Sequence, residues 1–210
     1  MSADLPQTGG TPSGDGAGRL PQVPDDAWAL LTAWLPCNED PDRPRITLST
    51  VDEHGDPDSR TVLLTEFSRE GFSFHTDTCS RKAGQVRAHA AVALTLLWPG
   101  FTRQLVIRGS AEEAPAERVA DAYVRRSPYL QQLAWQNTDA FAALPDDERV
   151  RRWAAFAAQH PAGFPQAPSW TGFLVRPTRL TFWRSAPDTA SQRQEFALTG
   201  GVWTERVLAG

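Results

Sequence analysis

Short stretches that alternate apolar and polar residues, punctuated by turn formers, leave this chain little choice but antiparallel β structure. RITLSTV (Arg45–Val51) alternates, DEHGDP (Asp52–Pro57) is turn chemistry, and SRTVLLTEF (Ser59–Phe67) reads as the return strand. SREG (Ser68–Gly71) turns again before GFSFHT (Gly71–Thr76) alternates once more, and together these segments predict an antiparallel meander. AVALTLLW (Ala91–Trp98) is a nearly continuous apolar strand, and RQLVIRGSAEE (Arg103–Glu113) follows the turn Pro99-Gly100. GFLVRPTRLTFW (Gly172–Trp183) is a long strand, and EFAL and VWTERV close the chain as a hairpin around Gly200-Gly201.

Helices fall between these strands. Trp28, Leu30, Leu31 and Trp34 recur at helical spacing behind Asp25 and Asp26, which can cap a helix start, and Pro36 ends the pattern. Ser80 is a good N-cap for a helix that lines Ala83, Val86 and Ala90 on one face. Pro115 suits the first turn of a helix running through Tyr123. DDERVRRWAAFAA (Asp146–Ala158) places Val150, Trp153 and Ala157 on one side. The fold class expected is mainly β with flanking helices, a small β-barrel over residues 25–210. Residues 1–24, rich in Gly, Pro, Ser and Asp, read as a disordered leader.

With a net charge of -4, the chain has no general attraction for nucleic acid or an anionic membrane, so any bound anion must be held locally. No apolar run approaches a membrane span, and the N-terminus lacks a signal-peptide pattern, so a cytoplasmic location is expected. Cys37 and Cys79 lack metal-ligand spacing and read as reduced thiols, and no metal site is expected.

Local anion binding has one obvious place. SRKAGQ (Ser80–Gln85) holds the chain's single lysine, Lys82, directly after Arg81 at a helix start. A helix N-terminus offers free N–H groups and partial positive charge, to which Ser80, Arg81 and Lys82 add a hydroxyl and two cations. That set suits a phosphate monoester. Taken alone, the segment reads more readily as a capped helix whose basic residues are solvated, because basic residues at helix starts are common and slightly unfavourable for the dipole. Arg60, His75, Thr76 and Gln104 sit at or near the ends of strands that a meander would bring towards it, which raises the weight of the phosphate reading.

STVDEHGDPDSRTVLL (Ser49–Leu64), FSFHTDTCSRKAGQV (Phe72–Val86), the Arg103-Gln104 strand and LTFW (Leu180–Trp183) resemble the pyridoxamine 5'-phosphate oxidase family. The resemblance runs from about Trp28 to the C-terminus. It implies an FMN-binding split barrel, a homodimer with flavin at the subunit interface. Carried over by position, Arg60, Arg81 and Lys82, with Ser80, would hold the FMN phosphate region. Thr61, Val62, Leu63 and Leu64 would line the ring with backbone. His75 stands where the family usually has tyrosine, and Thr76 matches. Gln104 would address the ring edge, and Trp183 would pack near it.

The substrate half departs from the pattern. The family's strand lysine is Thr65 here. Tyr123 matches a substrate tyrosine, but the arginine expected four residues later falls at Ser127, with Arg125 and Arg126 adjacent, and the serine after that falls at Gln131. The Arg-x-His pair falls on Ser191 and Arg193, a flavin-contacting arginine on Glu195, and the Gln-Ser pair on Asp139 and Ala140. These changes remove cations where the 5'-phosphate of a vitamin B6 compound would sit. The expectation is an FMN-dependent oxidoreductase, with molecular oxygen as acceptor, acting on a different, aromatic or heterocyclic small molecule. Tyr123, Arg126, Gln131 and Arg193 would contact the substrate, and His75 or Arg193 would assist proton removal or orientation. Trp98, Trp135 and Trp170 could line a planar pocket. A vitamin B6 oxidase using Arg125, Arg126 and Arg193, and a non-catalytic flavin carrier, stand as alternatives.

Overall fold

The structure, a computed structural model, describes residues 21–210. The expected leader lies outside the described residues except for its last four, of which Val23 is 2% exposed and donates its N–H to Arg69 O at 3.0 Å. Helix α1 (Asp25–Trp34) follows, buries Ala27 and Leu31, and packs Trp28, Leu30 and Trp34 partly against the core. Its N-cap is Pro24, so Asp25 and Asp26 lie in the first turn and favour it through the helix dipole rather than as side-chain caps.

Nine strands form one curled antiparallel sheet: β1 (Arg45–Val51), β2 (Pro57–Leu63), β3 (Glu66–Ser68), β4 (Gly71–Asp77), β5 (Ala91–Leu97), β6 (Arg103–Glu113), β7 (Trp170–Arg184), β8 (Gln192–Thr199) and β9 (Val202–Ala209). The order is β2-β1-β5-β6-β7-β4-β3, with β8 and β9 added along the far half of β7. The expected meander is corrected here. β1 and β2 form a hairpin, as do β3 and β4, but β4 pairs with β7 and not with β2. SRTVLLTEF is likewise two strands. At Leu64 the chain leaves one sheet edge, with Leu64 N on Pro44 O (2.9 Å) and Thr65 N on Ser73 O (2.8 Å), and re-enters at the other edge as β3. Because so short a link joins opposite edges, the sheet must roll until they approach, which is the split barrel.

Ile46, Leu48, Leu64, Phe72, Phe74, Leu94, Leu105, Ile107 and Leu180 are fully buried inside that roll. β7 bridges its two halves, pairing first with β4 and later with β8, and the change comes at a register shift in β6 between Arg108 and Gly109. A Cβ at Gly109 would lie 2.1 Å from Arg176 O, so only glycine lets the strands close at this bulge.

Between β6 and β7 lie α3 (Ala116–Val124), α4 (Pro128–Gln136), the short α5 (Asp139–Ala142) and α6 (Asp146–Gln159). α6 buries no residue, and Val150 is 70% exposed rather than packed. α2 (Arg81–Ala88) follows β4; it buries Ala83 and Val86 as expected, but Gln85 takes the third place on its inner face and Ala90, beyond the helix, is exposed. Among the described residues, no helix is long and apolar enough to cross a membrane.

Candidate functional site

β4 ends in a turn that delivers its chain into α2. Asp77 organises the turn: its Oδ1 accepts from Cys79 N (2.6 Å), and its carbonyl accepts from Ser80 N (3.1 Å) and Ser80 Oγ (2.7 Å). Ser80 is the N-cap residue by position, yet its hydroxyl is turned back to Asp77 and does not cap the helix. The first-turn N–H groups of α2 therefore lack the side-chain acceptor that Ser80 usually supplies. Beside them, half-buried Lys82 donates from Nζ to Thr76 Oγ1 at 3.0 Å, and Arg81 extends into solvent. Burial and then the Arg60 charge push the lysine below its ordinary pKa, with Asp77 opposing them. These groups line a cleft of about 780 Å³ together with Asp58, Asn137 and Asp139.

Arg60 is at the back of this cleft in a closed network. Its Nη1 donates to Thr50 Oγ1 (2.6 Å) and Leu48 O (3.3 Å), while Nη2 donates to Gln85 Oε1 (2.8 Å) and meets Asp58 Oδ2 at 2.7 Å. Thr50 Oγ1 donates to Gln85 Oε1 (2.7 Å), and Gln85 Nε2 donates to Asp58 Oδ2 (3.1 Å). The Gln85 bond and the charge of Arg60 hold the Asp58 carboxyl below the usual carboxylate range. Asp58 and Gln85 were not among the residues singled out from sequence. A polar residue on the inner face of α2, at Gln85, was the available signal.

A second cleft of about 260 Å³ shares Asp77, Ser80, Lys82 and Asn137 with the first. Thr61, Val62 and Leu63 of β2 line it together with His75, Arg126 and Trp170. His75 and Trp170 stack, with centroids 5.2 Å apart and planes at 8°. The Arg126 guanidinium lies over the same indole at 4.3 Å. Its Nε is buried without a hydrogen-bond partner, and burial lowers its pKa to about 10. His75 Nδ1 is 2.9 Å from Thr65 Oγ1, whereas Nε2 is buried without a partner. A Cβ at Gly172 would lie 2.6 Å from that Nε2, so glycine is what lets the ring lie against β7. Burial first, then Arg126 and Arg125, lower the His75 pKa to about 4, and the imidazole is neutral near pH 7.

The remaining candidates lie elsewhere. Leu64 is in the core with its side chain fully buried. The Tyr123 hydroxyl donates to Gln131 O (3.2 Å) and Pro165 O (2.8 Å), and Gln131 Nε2 donates to Tyr123 O (3.2 Å). These two side chains brace α3 against α4. Ser127 caps α4, and Arg125 pairs with Glu66 at 2.9 Å. Gln104, Trp183 and Arg193 are successive members of one cross-strand row, Leu97-Gln104-Trp183-Arg193-Leu208, and none of them lines either cleft. Glu195, on β8, is buried and bound by Arg206 at 2.7 Å. Of the three loop tryptophans, Trp170 lines the second cleft, Trp98 packs on Trp34, and Trp135 packs on Phe156.

With this geometry in hand, comparison with known proteins is decisive on one point. Residues 39–184 match the pyridoxamine 5'-phosphate oxidase family. The chain belongs to that family. A pyridoxine/pyridoxamine 5'-phosphate oxidase of Caulobacter vibrioides is 37% identical over 190 residues, covering 88% of this chain and 85% of that one. The protein of the same description from Neisseria meningitidis is 34% identical over 165 residues, 78% of each chain. Among solved structures, PhzG from Burkholderia lata 383 in complex with tetrahydrophenazine-1-carboxylic acid superposes with a TM-score of 0.72 at 22% identity, covering 88% of this chain and 89% of that one. A pyridoxamine 5'-phosphate oxidase-related, FMN-binding protein from Nostoc punctiforme gives a TM-score of 0.63 at 18% identity, covering 78% and 87%. These structures share the fold.

FMN is the cofactor of this oxidase family, and the residues present fit it. The first cleft offers Arg81, Lys82 and an uncapped helix N-terminus to a phosphate. The second is lined by Thr61–Leu63 of β2 and by the parallel His75 and Trp170 rings, groups that suit a planar ring.

Proposed function

We propose that this FMN-dependent oxidoreductase acts on a planar aromatic or heterocyclic small molecule other than a vitamin B6 phosphate. One observation carries the reading. At position 65, where the resemblance expects a lysine, there is a threonine whose hydroxyl is engaged by His75. Arg125 is neutralised by Glu66, which leaves Arg126 and Lys82 as the cations lining the second cleft. Lys82 belongs to the phosphate end of the flavin. A lone arginine lying on an indole suits a neutral or singly charged flat molecule better than a phosphate dianion.

FMN, when bound, supplies two-electron redox chemistry. The chain's own residues do the rest. Lys82 and Arg81 would hold its phosphate, the Thr61–Leu63 backbone would line its ring, and the Trp170-His75 stack would orient a flat substrate. Neutral His75 positions Trp170, and Arg126 orients the substrate. Molecular oxygen is the acceptor that returns the enzyme to its starting state.

Two copies of the chain complete the site. Gln104, Trp183 and Arg193 are aligned on neighbouring strands, away from the clefts, and beside them Leu97 and Phe101 are 56% and 59% exposed. Phe101 packs on Trp183 at 4.7 Å, extending the apolar face. A homodimer that covers this face brings the row to the other copy's flavin.

A second reading, vitamin B6 phosphate oxidation, is favoured by the 37% identical relative and by the entry of Arg126 into the cleft. Anaerobic mixing of the FMN-loaded protein with pyridoxine 5'-phosphate, pyridoxamine 5'-phosphate and a panel of dihydro-aromatic compounds separates the two. Flavin bleaching is expected with dihydro-aromatics and not with the B6 phosphates. Fast bleaching by the B6 phosphates alone would replace the first reading with the second.

A further inference from the structure

Asp58 is the anomaly of the phosphate cleft. It lines the cleft with Arg60, Arg81 and Lys82, and its Oδ2 is 2.7 Å from Arg60 Nη2, 3.1 Å from Gln85 Nε2 and 3.8 Å from Arg81 Nε. One carboxylate oxygen thus collects a guanidinium, an amide and the edge of a second guanidinium, the donor set with which proteins usually hold a phosphate oxygen. The rest of the network shows what its departure would free. Arg60 Nη1 stays on Thr50 and Leu48 O, and Gln85 Oε1 stays on Thr50 and Arg60. The donors aimed at Asp58, one on Arg60 and one on Gln85, would be left for a newcomer, with the Arg81 guanidinium beside them.

We propose that Asp58 is a specificity-determining residue of this cleft: its carboxylate occupies the place of a phosphate oxygen on Arg60 and Gln85, and a phosphorylated ligand binds there by displacing it. The inference rests on the FMN reading above. Its position allows the displacement. Asp58 is on the edge strand β2, one residue after Pro57 and close to the Asp52–Asp56 turn, and about a third of its side chain (32%) is exposed. It can therefore swing into solvent without opening the core. Asp77 does not compete for the same donors, because its carboxylate oxygens are taken by Cys79 N and Ser169 Oγ. Asp58 thus opposes every phosphate that enters, through repulsion and through the contacts it already holds, and has no effect on a flavin that lacks the phosphate.

The test is a fluorescence titration of FMN and of riboflavin into flavin-stripped parent, Asp58→Asn and Asp58→Ser proteins, with thermal melts to show that each is folded. Both variants are expected to bind FMN at least tenfold more tightly than the parent, with riboflavin affinity unchanged within about twofold. FMN affinity that is unchanged or weaker in the folded variants, while the parent binds FMN, would overturn this inference and leave the FMN reading intact. A rise of the same size for riboflavin would also overturn it, because the effect would not then pass through the phosphate. If none of the three proteins binds FMN, the cofactor reading and this inference fall together.

Discussion

At position 75 an imidazole lies flat on Trp170, holds Thr65 Oγ1 with one nitrogen and leaves the other buried and unpaired. A second proton would put a charge in a dry place beside Arg126, with Arg125 also near, which is why its pKa falls from the ordinary 6.5 to about 4. The unfolded chain takes up this proton near pH 6.5 and the folded chain only near pH 4. The stabilisation is therefore present above 6.5 and lost as the pH falls from 6.5 to 4, by at most about 3 kcal/mol. Urea midpoints of the parent and His75→Gln, measured from pH 7 down to 4.5, should converge as the pH falls, with the variant showing the shallower acid limb. Parallel curves would mean that His75 is charged or solvent-screened in the folded state. The same scale shows what was legible in the sequence. SRKAG could be read because its chemistry is local: Ser80, Arg81 and Lys82 share one turn. The Asp58–Arg60–Gln85 network was not, because Gln85 is 25 residues from Arg60 and 27 from Asp58, and nothing in a linear pattern says that these side chains meet.

Elements were legible where one face is buried. β1 and β6 match the expected bounds, and their alternation places Ile46, Leu48, Leu105 and Ile107 inside. What alternation cannot give is pairing. The break at Leu64 and the pairing of β4 with β7 come from hydrogen bonds to Pro44 and Ser73 and from closure of the sheet, both non-local. α4 and α5 escaped notice because PYLQQLAWQ buries only Gln132 and α5 buries nothing, so neither shows an apolar stripe. The cross-strand row of Gln104, Trp183 and Arg193 belongs to this scale as well, since register alone aligns it. If the row and its exposed neighbours Leu97 and Phe101 form the dimer face, sedimentation of the parent at tens of micromolar should give the mass of two chains. Arg193→Glu should shift it towards one. A monomeric parent under those conditions would remove the two-copy site from the account.

For the whole molecule, the rolled sheet is a frame that places two clefts side by side, with Asp77, Ser80, Lys82 and Asn137 common to both. The β4–α2 turn supplies the cations of the first, and Thr61–Leu63 of β2 with Trp170 and His75 line the second. Family membership makes FMN the cofactor, and the proposed function assigns its phosphate to the start of α2, beside Lys82. Removing one such charge-assisted contact costs about 2 kcal/mol, roughly thirtyfold in affinity. The direct measurement is a titration of FMN into flavin-stripped parent and Lys82→Ala proteins, read by quenching of flavin fluorescence. The account predicts saturable quenching by the parent and at least tens-fold weaker binding by the variant. A parent that never quenches FMN, or a Lys82→Ala protein that binds it as tightly as the parent, would contradict it.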